Sequence, residues 1–100
     1  MMALTEHQRK HLRRLGHALH PIVLVGQRGL CESVAAEMRR ALDDHELIKV
    51  RARVGSREDR DAVLAELARQ TASELVYRIG NVGLFYKRNS KIQQLLLPDS

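Results

Sequence analysis

The stretch Pro21-Ile22-Val23-Leu24-Val25-Gly26-Gln27-Arg28-Gly29 decides how this chain folds. Ile22 to Val25 is an unbroken apolar run, β-branched at three of its four positions, entered from a proline and left through a glycine. That pattern predicts a buried strand. A Gly-x-x-Gly loop with an arginine inside it follows directly. Glycines at that spacing let a backbone come close to a bulky group, and Arg28 makes an anion the natural candidate. A helix starting behind the loop would turn its first N–H groups toward the same anion. By itself such a glycine pair often does no more than join a strand to a helix, so its meaning rests on the rest of the chain.

Upstream, Thr5 followed by Gln8 is a capping-box pattern that opens a helix, and Gly16 is its natural stop. Leu12, Leu15 and Leu19 share one side of that helix, and Arg9, Lys10, Arg13, Arg14 and His17 fall opposite. So narrow an apolar stripe predicts an attachment to the outside of the domain, with its basic side in water. Downstream, Leu30, Val34, Met38, Ala41 and Leu42 recur at helical spacing from about residue 30 to 42. Cys31 lies at the edge of that face, where a buried filler is expected.

From Leu47 to Val54 the pattern alternates. Ile48, Val50, Ala52 and Val54 point one way, and Lys49, Arg51 and Arg53 the other, as a strand requires. Gly55-Ser56 is a turn, with Ser56 capping a helix from about Arg57 to Gln70 whose buried ridge is Val63, Leu64 and Leu67. Leu75–Ile79 and Val82–Lys87 read as two strands around Gly80-Asn81, a dipeptide suited to a tight hairpin turn. Residues 89–100 have no clear period and read as a C-terminal tail, with Leu95–Leu97 available to contact the core.

The order α-β-α-β-α-β-β predicts an α/β two-layer sandwich, of the α+β type, over residues 1–100 as one domain. Strand–helix–strand units pair in parallel through right-handed crossovers, and the closing hairpin adds one antiparallel strand. The result is a four-stranded mixed sheet with helices mainly on one face.

Composition narrows the partners. The chain has 100 residues, a formal charge of +5 and 44% apolar residues, with a pI near 10.0. An excess of cations favours a polyanion, nucleic acid before membrane. The charge is also clustered. Arg9, Lys10, Arg13 and Arg14 face only Glu6 at the N-terminal end, Lys49, Arg51 and Arg53 form a one-sign stripe, and Lys87, Arg88 and Lys91 follow. Like charges repeating along one side of a strand repel one another unless an anion lies nearby.

No apolar run approaches the roughly 20 residues that span a bilayer, and the polar stretch from Glu6 to Arg14 is no secretion signal. The only cysteine, Cys31, excludes an internal disulfide and fits a reducing cytoplasm. His7 and His11 are spaced to share a helix face, but no carboxylate or cysteine completes a metal site. Asp43-Asp44-His45-Glu46 looks like an acid–base cluster, yet its place at a helix end predicts solvated termination. No nucleophile–base pattern, P-loop or zinc spacing is present, so neither catalysis, a cofactor nor a small-molecule substrate is expected.

Three blocks, taken together, resemble a known family: Leu15-Gly-His-Ala-Leu-His-Pro-Ile-Val-Leu-Val-Gly-Gln-Arg-Gly-Leu30, His45-Glu-Leu-Ile-Lys-Val50, and Ile79-Gly80 with Leu84-Phe-Tyr-Lys87. They are similar, in order and spacing over nearly the whole chain, to the bacterial YhbY family, also called the CRM (chloroplast RNA splicing and ribosome maturation) domain. The resemblance implies a fold like the C-terminal domain of translation initiation factor three with an added N-terminal helix. It also implies RNA binding through the Gly-x-x-Gly loop and association with precursors of the large ribosomal subunit. Two positions depart from the family pattern. Lys87 stands where an arginine is usual, which removes a bidentate fork, and Cys31 stands where a threonine would cap the helix better.

The expected function is therefore RNA binding without catalysis, on ribosomal RNA during ribosome assembly. Gly26, Gln27, Arg28 and Gly29 form the centre, extended by Lys49, Arg51 and Arg53, by Arg9, Lys10, Arg13 and Arg14, and by Lys87 and Arg88. Only Phe85, Tyr77 and Tyr86 are aromatic, which points to recognition of phosphates and shape ahead of base stacking. The alternative is a protein-interaction module that docks on an acidic ribosomal or assembly-factor surface.

Overall fold

Local capping sets two of the three helices. A computed structural model describes residues 4–27 and 29–88. Helix α1 spans Glu6–Gly16 and opens with a complete capping box, in which the Gln8 N–H donates to the Thr5 hydroxyl and the Thr5 N–H to the Gln8 side chain. Helix α3, Arg57–Thr71, opens the same way on Ser56 and Asp59. Helix α2, Glu32–His45, begins at Cys31 with no side-chain cap.

Strands β1 (Pro21–Val25), β2 (Leu47–Ala52), β3 (Glu74–Ile79) and β4 (Val82–Tyr86) complete the predicted alternation. They form one sheet in the order β1-β2-β4-β3. β1 and β2 are parallel, and β4 runs antiparallel to both β2 and β3. The hairpin turn is tight, since Ile79 pairs with Val82 and Gly80 adopts φ +57°, the positive value a primed turn needs at its first central position.

The two sheet faces are clothed unequally. On one, Val23, Val25, Ile48, Val50, Ala52 and Phe85 pack against Met38 and Leu42 of α2 and Leu64 and Leu67 of α3. Each large side chain so buried contributes about 2 kcal/mol of apolar transfer. On the other face α1 is the one helix that packs among the described residues, its Leu12 closing a smaller cluster with Leu47, Val76, Leu84 and Tyr86. A Cβ on Gly16 would come within 2.8 Å of the Leu84 side chain, so α1 lies tight on the sheet there.

Three expectations need correction. The strand read as buried, β1, is an edge strand. Val23 and Val25 are covered, but Ile22 and Leu24 remain about half exposed because α1 does not reach them. An apolar run carries no mark of how many of its sides are covered. Cys31 is exposed rather than buried filler: the helix starts at Glu32, which leaves Cys31 extended at φ −143° outside the apolar stripe.

The acidic helix end is only partly solvated. Asp43, Asp44 and His45 are exposed, while Glu46 is fully buried. With α2 ending at His45 and β2 starting at Leu47, Glu46 turns the chain alone, at φ +61°. Its carbonyl accepts the Lys87 N–H and its own N–H donates to the Leu42 carbonyl, which fixes it between helix and sheet. Residues 89–100, including the apolar stretch expected to reach the core, lie outside the described residues.

Candidate nucleic-acid interface

Parallel strands β1 and β2 end side by side, so the chain leaves both at the same end of the sheet. At that end the Gly29 N–H donates to the Gly26 carbonyl at 2.9 Å and closes the glycine loop on itself. Gly29 has φ +78°, a conformation that strains any residue with a Cβ. Gly26 has no such requirement. A Cβ built on either glycine would meet nothing within 4 Å, so no packing inside the protein demands a glycine at 26. Gln27 is exposed beside it, and Arg28 lies outside the described residues. The loop leads to the uncapped start of α2, whose first-turn N–H groups need acceptors from elsewhere.

The basic residues divide into groups. Arg53 borders the loop, since its N–H donates to the carbonyl of Val25, the residue before Gly26, at 2.7 Å. Lys49 and Arg51 project from the side of β2 opposite the buried Ile48, Val50 and Ala52, and Arg53, just past the strand's end, continues their line toward that loop. Among the described residues no carboxylate forms a salt bridge with any of the three.

The α1 cations split by what they touch. The Arg9 guanidinium pairs with Glu74 at 3.0 Å and donates to the Leu75 and Val76 carbonyls. Arg13 stacks over the Tyr77 ring at 4.0 Å, a cation–π contact. Both therefore fasten α1 to β3, while Lys10 and Arg14 point into solvent. Helical periodicity alone placed all four on one basic side. The pleated strand beside that side recruits two of them.

Lys87 and Arg88 lie apart from the loop. The Lys87 N–H is held by the Glu46 carbonyl, at the far end of β2 and roughly 23 Å from Arg53 at the usual rise per residue. Nearby, burial and the charge of Glu46 push the Tyr86 hydroxyl above its ordinary range, with Arg88 acting in the opposite sense. At the loop end, by contrast, sequence reasoning missed Arg57. It is exposed in the first turn of α3, directly after the turn that follows Arg53. A signal was available, because a second parallel strand must end beside the first and carry its own turn to the same place.

Comparison with known proteins bears on the family and the fold. Residues 4–87 match the model of the CRS1 / YhbY (CRM) domain. The chain belongs to this family. A probable RNA-binding protein of Pseudomonas aeruginosa is 49% identical over 90 residues, covering 90% of this chain and 86% of that one. The Bacillus subtilis probable RNA-binding protein YqeI is 36% identical over 95 residues, covering 95% and 99%. Among solved structures, the solution structure of the hypothetical protein SAV1595 from Staphylococcus aureus superposes with a TM-score of 0.83 at 31% identity, covering 96% of this chain and all of that one. The family and these names point to RNA-binding proteins and not to enzymes. No described helix is long and apolar enough to cross a membrane.

Proposed function

We propose that this CRM-family chain binds RNA through the end of the sheet formed by the Gly26–Gly29 loop, the start of α2 and the Lys49–Arg51–Arg53 line. The observation that carries the reading is the openness of that loop. Its glycine at 26 answers to no internal contact, the helix behind it has no side-chain cap, and an arginine from another strand stands beside it. Backbone N–H groups and guanidinium forks around a concave turn suit phosphate oxygens. Arg28 supplies a phosphate contact from within the loop, Gln27 a hydrogen-bonding side chain, and Lys10 and Arg14 a further cationic margin. Lys87 and Arg88, at the opposite end, reach only an RNA that extends across the molecule.

The target is structured ribosomal RNA, in precursors of the large subunit, and the activity is in assembly rather than chemistry; such a role belongs in the cytoplasm. The small aromatic complement supports backbone and shape recognition. Tyr77 lies beneath Arg13, and Phe85 and Tyr86 are buried, which leaves no ring free for stacking on bases.

The test is a titration of purified ribosomal RNA, free of protein, at several salt concentrations. Log K should fall linearly with log [salt], and the triple variant Arg28→Ala, Arg51→Ala, Arg53→Ala should lose on the order of 100-fold in affinity, with a slope shallower by about 2 to 3. Unchanged affinity in a folded triple variant would remove the site.

A further inference from the structure

The part of the sheet that no described helix covers holds apolar side chains, next to Arg51, that phosphate binding leaves unused. Strand register places Leu24, Arg51, Val82 and Ile79 in one row across all four strands, because Leu24 pairs with Arg51, Arg51 with Val82, and Val82 with Ile79. The row is about 14 Å wide at ordinary strand spacing. Its apolar members are open: Leu24 is 53% and Ile79 63% exposed. Ile22, at 50%, lines the same groove as Leu24, Arg51 and Arg53. Three of the chain's four exposed large apolar side chains among the described residues thus share this area, and the fourth, Leu15, is on α1.

Scattered surface leucines need no explanation, but apolar side chains gathered in one place beside unpaired cations mark an interaction site. Nucleic acid is the weaker candidate, since bases are read from a sheet by aromatic stacking and every aromatic ring of the chain is buried or covered. A second copy would bring the same row, with its own Arg51 and Arg53, onto this one and so add positive charge to positive charge. The fold itself shows what fits. The adjoining row, containing Leu84 and Tyr77, is already covered by a helix, α1, which crosses from Arg9 at β3 to Gly16 over Leu84. The bare row lies two residues further along the strands, about 7 Å away. That is close to the 8–10 Å separation of two packed helices.

We infer that the Leu24–Arg51–Val82–Ile79 row docks an acidic amphipathic helix of a protein partner, lying beside α1 on the same sheet face. Its apolar ridge covers Ile22, Leu24, Val82 and Ile79, and its carboxylates meet Arg51 and Arg53. Glu37 of α2 also lines the groove, so the acidic edge of the partner faces the arginines and not Glu37.

The probe is a synthetic 18-residue helical peptide with leucines at i, i+3, i+4 and i+7 spacing and glutamates flanking them, titrated into the full chain and followed by amide chemical shifts. Shifts are expected at residues 22–24, 51–53, 79 and 82. Leu24→Ser with Ile79→Ser should weaken the peptide at least 10-fold and leave ribosomal RNA affinity within 2-fold. Arg51→Gln with Arg53→Gln should weaken both ligands, and a lysine-for-glutamate peptide should not bind. Equal peptide affinity in the serine variant, or shifts confined to another face, overturns the inference. So does an equal loss of RNA affinity in the serine variant, which would assign the row to RNA. A wild-type dimer that the serine variant dissolves would assign it to a second copy. Loss of RNA binding in the arginine variant alone, with peptide binding intact, would leave the RNA site standing and remove this one.

Discussion

The chain makes the same connection twice, from a parallel strand through a short turn into a helix, and finishes the two differently. After β2, the turn at Gly55-Ser56 is sealed by its own residues. Ser56 caps α3 and Asp59 returns the bond, and a Cβ on Gly55 would lie 2.6 Å from that same Asp59 carboxylate. After β1, the turn at Gly26–Gly29 is open at both glycines, and α2 begins with no side-chain cap. A turn whose side chains cap its own helix serves the scaffold, and one that keeps space open at its glycines and supplies no side-chain cap leaves room for a group from outside the chain. The two turns are built at one end of one sheet from similar residue types, so the difference does not come from fold topology.

The comparison is most exposed to failure at Gly29. Gly29→Val forces a β-branched side chain to φ +78° and should cost about 2 to 3 kcal/mol of stability by urea denaturation. Gly29→Asn, which tolerates that region, should cost much less. Equal losses would mean the loop relaxes and its shape is not imposed.

An exchange of caps gives a smaller effect. Ser56→Ala should cost about 1 kcal/mol at α3 with RNA affinity unchanged. Cys31→Thr should gain about 0.5 kcal/mol at α2, because a hydroxyl takes up a first-turn N–H, and should lower RNA affinity a few-fold by competing for that group. A stabilised Cys31→Thr variant with full affinity would show that the end of α2 does not take phosphate.

The smallest expected change in stability is at Gly26. Gly26→Ala meets no atom within 4 Å and should stay within about 0.5 kcal/mol of wild type. Its RNA affinity should nonetheless fall several-fold if a phosphate approaches the backbone there. An unaltered affinity would make the two turns equivalent in function.

Much of this was legible from residue order. The alternation at Leu47–Ala52 fixed which side of β2 carries Lys49 and Arg51, because a period of two leaves no freedom once Val50 is inside. The Thr5–Gln8 capping box and the Ser56 cap were readable, since their partners lie within three residues and need no tertiary support, while the return bond from Asp59 came from the structure. Cys31 and Glu46 were misjudged for a shared reason. Each stands where a helix meets its neighbour, and burial at such a joint depends on what the chain does on both sides of it. Arg9 and Arg13 were placed on the correct flank of α1, but Glu74 and Tyr77, which engage them, come from more than 60 residues away.

Sequence alone therefore determined the elements, their order and the loop chemistry, all of which follow from contacts within a few residues. Tertiary structure decided that β4 would be inserted between β2 and β3, that β1 would lie at the edge, and that α1 would cover only part of its face. Those choices turn on which distant apolar surfaces can be buried together, and that information is spread over the whole chain. From them come the bare row beside Arg51 and the separation of Lys87 and Arg88 from the glycine loop.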